Sequence, residues 1–183
     1  MLEFEFDLAE RALGGGGTVL DLGSGHGELS RRVAQDPVQL VAVDWVAEFA
    51  RAFDATNHSF VQSTVAEYET DDQFDLVLLF GVVTCLTRDE ELLVYRKAVE
   101  WVAPDGSLIV KNQCARHDEF VFTGTSEALR SEYSGRYPNA VDQLARLKDH
   151  FRSIEMVEYP DQFNPWENSF HVAFVCTQPI AKN

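Results

Sequence analysis

Lysine is scarce in this chain: four residues of 183, Lys97, Lys111, Lys148 and Lys182. Asp and Glu number 30 against 15 Lys plus Arg, for a formal net charge of −15. A surface this acidic repels polyanions and excludes extended nucleic-acid binding, leaving one local basic pair, Arg31-Arg32. Acid excess with few lysines suits a high-salt environment, where screening lets like charges crowd, and suits an ordinary acidic enzyme equally. No apolar run approaches the ~20 residues of a membrane span. The N-terminal MLEFEFDLAERAL is acidic where a targeting peptide would be basic, so a cytoplasmic protein is expected. The three cysteines, Cys85, Cys114 and Cys176, show no paired spacing, which argues against a disulfide framework or zinc site. Cys85 and Cys176 lie in apolar runs and are expected in the core. The five histidines are scattered, and no metal site is expected.

A hydrophobic content of 45% excludes disorder, and the length suits one domain over 1–183. Helix-like spacing over 3–13 ends at four consecutive glycines. Strands are expected at 18–22, 38–44, 59–62, 74–80, 107–111, 153–159 and 171–177. Between them, helices are expected at 28–35, 45–55, 87–102 and, in two pieces, 125–150. Thr87-Arg88-Asp89-Glu90 matches a capping box. The alternation means an α/β sheet with helices on both faces.

The informative stretch is VLDLGSGHG, a strand feeding a glycine turn that opens a helix. Asp44 ends the next strand 21 residues after Gly23, where an acid takes the hydroxyls of a ribose. The third glycine comes one residue too early for a dinucleotide fingerprint. Asp21, two residues ahead of Gly23, would repel a pyrophosphate. It would attract an ammonium or a sulfonium, or order the turn.

VLDLGSGHG followed by VAVD resembles the first two motifs of the class I S-adenosylmethionine-dependent methyltransferases. FDLVLLFGVVTCL resembles their fourth-strand motif, APDGSLIVK their turn into strand five, and HVAFVCT their reversed seventh strand. The resemblance covers the chain from residue 18 onward. It implies a Rossmann-like, doubly wound, seven-stranded sheet, mostly parallel with a reversed last strand. It implies S-adenosyl-L-methionine as cofactor. Asp21, Gly23, Ser24 and Gly25 would line its methionine part, Asp44 would hold the ribose, and Trp45 would lie along the adenine. Ser63 and Thr64 stand where the family often places an acid for the adenine amino group, and a hydroxyl accepts more weakly there. Phe80 and Gly81 would sit beside the transferred methyl. Each has a plainer alternative: Trp45 as helix core, Ser63 and Thr64 as helix caps, Phe80 and Gly81 as packing.

Sheets of this kind bind ligands beyond the carboxyl ends of their strands. Lys111 and Asn112, ending strand five, should then face an acceptor, as should Trp166 and Asn168 of the 159–168 loop. The excursion 112–150 is expected to form a helical lid, with Tyr133 and Tyr137 as wall residues or as packing between helices and sheet. Candidate bases are His117, beside Asp118 and Glu119, and His26 in the glycine turn. The expected function is methyl transfer to a small-molecule acceptor of glycan or natural-product chemistry. Protein or RNA methylation, an inactive cofactor-binding subunit and a small NAD-binding domain are the rivals.

Overall fold

The computed structural model describes residues 1–126 and 131–180, with backbone alone for 125, 126 and 131–133. Strands β1 (Thr18–Leu22), β2 (Gln39–Asp44), β3 (His58–Gln62), β4 (Phe74–Phe80) and β5 (Val102–Ala115) pair in parallel. β9 (Ser169–Pro179) runs antiparallel to β5, and β8 (Phe151–Glu158) antiparallel to β9, so β8 points the way of the first five. The order β3-β2-β1-β4-β5-β9-β8 is the expected Rossmann-like sheet with its reversed strand.

Both faces of the central strands are covered, which is why they read as unbroken apolar runs. Leu20, Leu76, Val77, Leu79, Leu108 and Ile109 are each fully buried. On one face α3 (Arg88–Trp101) and α4 (Ala140–Lys148) bring Tyr95, Trp101 and Leu147 against Leu20, Val77 and Leu108. On the other, α1 (Leu2–Leu13) and the single turn α2 (Ser30–Val33) bring Leu8, Ala9 and Val33 against Val19, Leu76 and Ile109.

Polar details set the ends of these elements. Asp75 Oδ2 accepts Gly17 N–H at 2.7 Å and Thr18 N–H at 2.9 Å, tying the start of β1 to β4. α3 opens with the expected capping box: Thr87 Oγ1 accepts Glu90 N–H at 3.3 Å, and Glu90 Oε2 accepts Thr87 N–H at 2.8 Å. Gly106 lets β5 pass β4, since a Cβ there would lie 2.8 Å from the Phe74 carbonyl oxygen.

Three expectations change. The helix expected over 28–35 is only the turn α2, and that over 45–55 is a 3-10 helix, Ala47–Ala52. The segment 112–150 is not a helical lid of two pieces. β5 continues to Ala115 because β9 is long enough to pair it through Ser169. An antiparallel hairpin follows, β6 (Phe120–Ser126) with β7 (Ser131–Tyr137), and only then α4. Phe120 stacks on its cross-strand partner Tyr137 with centroids 4.8 Å apart, and Gly135 in mid-segment weakens a helix.

Candidate functional site

β1 leaves the sheet through Gly23, whose φ is +74° and whose missing Cβ would lie 2.3 Å from Val82 Cγ2. Only glycine fits there. Gly23 N–H and Ser24 N–H donate to the Val43 carbonyl at 2.8 and 3.0 Å, seating the turn on the end of β2. Asp44 Oδ2 accepts Gly25 N–H at 2.9 Å, and Oδ1 accepts Val46 N–H at 3.0 Å. One carboxylate therefore braces the loops after β1 and β2, and each oxygen keeps a lone pair for a hydroxyl. Ser24 Oγ is buried with no partner.

A cavity of about 550 Å³ opens at this edge, within the range of small-molecule sites. Seven expected residues line it: Gly23, Asp44, Trp45, Ser63, Thr64, Phe80 and Gly81. Trp45 is 71% exposed at the mouth, so it is not helix core. Thr64 caps a turn, donating to Glu67 Oε2 at 2.8 Å and accepting Glu67 N–H at 3.2 Å. Among the described residues the lining holds three carboxylates, Asp44, Glu67 and Glu90, and no lysine, arginine or histidine. Such a wall suits a cationic ligand and opposes a pyrophosphate.

Asp21 lies behind the turn rather than on the cavity wall, and it is buried. Burial pushes its carboxyl up to about 6. The nearby Ser30 hydroxyl opposes this, and the charge of Asp44 adds to it.

The sequence missed Cys85, Leu86 and Glu90. Cys85 is exposed and lines the cavity, contrary to the expected core position. After Gly81 (φ +73°) the chain makes one 3-10 turn, Val83–Cys85, which buries Val83 and turns Val82, Cys85 and Leu86 to the cavity.

Among the described residues, the other expected site residues do not line this cavity. Lys111 turns to the α1 face, where Nζ lies 3.1 Å from Glu5 Oε1. Asn112 is buried on the opposite face, its amide donating to Gln143 Oε1 at 3.0 Å. Gly25 borders the turn, and Tyr137 is held by Phe120. The Tyr133 side chain lies outside the described residues. Trp166 packs on His171 at 5.4 Å, and Asn168 is exposed. His117 and His26 are exposed; the first lends its carbonyl to the Asn139 amide, the second lies edge-on to Phe49 at 4.6 Å. Among the described residues, no helix is long and apolar enough to cross a membrane.

Residues 19–106 match a family model described as a methyltransferase domain. Over 131 residues the chain is 30% identical to a probable (S)-tetrahydroprotoberberine N-methyltransferase 2 of Papaver bracteatum, covering 66% of this chain and 35% of that protein. It is 26% identical over 116 residues to the pavine N-methyltransferase of Thalictrum flavum subsp. glaucum, covering 58% and 32%. The chain thus spans about a third of the length of the curated relatives it matches. Among solved structures it is similar to a glycopeptide N-methyltransferase complexed with (S)-adenosyl-L-methionine, at TM-score 0.77 and 15% identity, covering 97% and 94% of the two chains. It is also similar to the Burkholderia thailandensis 1,6-didemethyltoxoflavin-N1-methyltransferase, at TM-score 0.76 and 18% identity, covering 97% and 77%. At these identities the likeness is one of fold.

Proposed function

We propose, from the match of residues 19–106 to a methyltransferase domain, that this chain is a class I S-adenosylmethionine-dependent methyltransferase and that it methylates a basic nitrogen of a small organic molecule. S-adenosylmethionine supplies the methyl group when bound. The observation that carries the reading is the Asp44-braced glycine turn opening on an acidic cavity. Gly23 and Gly25 let the backbone approach the methionine part of the cofactor. Asp44 accepts from the ribose hydroxyls, Trp45 covers the adenine, and Phe80 and Gly81 border the methyl. Ser63 and Thr64 form the adenine floor through their backbone, because the Thr64 hydroxyl is spent on its cap.

Methyl transfer is an in-line displacement, so the protein mainly aligns the partners and excludes water. Arg136 of β7 fastens the hairpin beside the cavity, at Leu86 on its rim. The N-methyltransferase names of the relatives and the acidic lining both favour an amine over RNA, and with it a cytoplasmic enzyme of small-molecule metabolism.

Calorimetry tests the cofactor assignment. Wild type should bind S-adenosylmethionine and S-adenosylhomocysteine but not NAD. Asp44→Ala should lose at least about tenfold in affinity, the worth of hydrogen bonds to a charged group. Binding of NAD alone, or an unchanged affinity in Asp44→Ala, would overturn it.

A further inference from the structure

His171 stands near the carboxyl end of the sheet, on β9 opposite Gln113 of β5. Two residues on, Ala173 pairs with Lys111, which itself pairs with Phe80 of β4. Alternate residues share a face, and Ala173 lies in the same apolar layer as Phe80, Tyr159 and Phe163. His171 is therefore on the Phe80 side of the sheet, two strands across and two residues along, or about 12 Å by strand spacing and rise.

Its imidazole is held from several directions. Nδ1 lies 3.1 Å from the Phe163 carbonyl oxygen, which can only accept. In the neutral ring the proton is then on Nδ1, and Nε2 carries the lone pair. His171 N–H donates to Asn164 Oδ1 at 2.7 Å, and the Asn164 amide donates to the Tyr159 carbonyl at 2.8 Å, folding the 159–168 loop around the ring. Trp166, 44% exposed, packs edge-on at 5.4 Å, and Tyr159 lies tilted at 5.8 Å. The charges facing it are the Lys111–Glu5 pair, contributed by β5 and α1. Neither His117 nor His26 is oriented in this way.

We infer that Nε2 of His171 is the base that takes the proton from the methyl acceptor, in a site bordered by the exposed Trp166. The inference rests on the proposed function and adds the acceptor's place and chemistry: an amine that still carries a proton when it binds. An alkylamine keeps its proton at neutral pH, as lysine does with its ordinary pKa of about 10.4. Nε2 removes one N–H proton, and the freed nitrogen lone pair forms the new N–C bond to the methyl carbon. The S–C bond breaks with its electrons going to sulfur, and the imidazolium returns its proton to water. Partial burial, reinforced by Lys111, holds the ring below the usual histidine range, against the Phe163 hydrogen bond and Glu5, and so keeps it in the base form.

His171→Asn tests this, because the Asn amide can still donate to the Phe163 carbonyl. The probe is tetrahydroisoquinoline, a secondary amine, with labelled S-adenosylmethionine. The variant should bind the cofactor with wild-type affinity by calorimetry. Its turnover at neutral pH should fall roughly 100-fold or more, with the loss shrinking as alkali deprotonates the amine itself. Heteronuclear nitrogen spectra of the wild type should show the neutral His171 ring protonated on Nδ1, which decides the point even if the variant fails to fold. Wild-type turnover and pH profile in His171→Asn, a neutral ring protonated on Nε2, or a cofactor-loaded wild type that leaves the amine unmethylated would each overturn the inference. Failure of the wild type to bind S-adenosylmethionine would instead remove the proposed function beneath it.

Discussion

Arg136 donates its Nε–H to the backbone carbonyl of Leu86 at 3.1 Å, while its terminal nitrogens reach Glu91 at 2.5 Å and Glu119 at 3.0 Å. One β7 side chain thus fastens the hairpin to the cavity rim and to α3. Glu91 is fully buried and takes Arg146 Nε on its other oxygen at 3.0 Å. α3, β7 and α4 therefore converge on a single carboxylate, and charge-assisted hydrogen bonds satisfy it from both sides.

Arg136→Ala takes one of two arginines from that buried carboxylate, leaving Arg146 and the Tyr95 hydroxyl beside it. Breaking a buried pair outright costs about 3–5 kcal/mol, and the surviving partner should hold the loss to about 2 kcal/mol. Arg136→Lys should recover little of it, because an ammonium cannot serve Leu86, Glu91 and Glu119 at once. Denaturant titration measures the loss. Limited proteolysis should cut the hairpin before the body of the protein unfolds. A hairpin no more cleavable than in wild type would mean that Arg136 does not hold it.

Cys85 offers a direct view of the cavity, since it is exposed and lines the wall beside Gly81 and Val82. The other two cysteines are buried. Burial, with the Glu91 charge adding to it, pushes the Cys114 thiol up to about 12, and burial puts Cys176 higher still. A maleimide should therefore add once to the native protein, at Cys85, as read by mass spectrometry. Saturating S-adenosylhomocysteine should slow that addition at least tenfold. Equal labelling rates with and without it would place the adenosyl compound elsewhere.

Most of the sheet was legible because its central strands are buried on both faces and so carry unbroken apolar runs. The Asp21–Asp44 frame was legible because a glycine turn between two such strands has few structural uses. The hairpin was not, since SEYSGRY has neither alternation nor apolar period, and its pairing depends on Phe120 meeting Tyr137 across the turn. Lys111 and Asn112 share one strand end, yet successive residues point to opposite faces. Lys111 meets Glu5, Asn112 meets Gln143, and neither enters the cavity. His171 was passed over because its orientation is set by a backbone carbonyl eight residues away, a partner that leaves no mark in the sequence.

Asp21 makes the site sensitive to pH in a calculable direction. Its carboxyl moves from 3.8 to about 6 on folding, chiefly through burial. Between those values the folded chain binds more protons than the unfolded one, so this group's contribution to stability falls as pH rises toward about 6. Above that, the buried charge costs on the order of 3 kcal/mol. Asp21→Asn keeps the shape and removes the charge. It should be more stable than wild type at neutral pH and show a flatter stability profile between about pH 4 and pH 6. A cation seated near the turn restores the ionised form, so S-adenosylmethionine should bind more tightly as pH rises from about 5 to about 7 and should release a proton near pH 6. Calorimetry in buffers of different ionisation heat counts that proton. In Asp21→Asn the release should vanish and the affinity fall together. The same proton release persisting in the variant would assign it to another group and leave Asp21 as a brace of the turn alone.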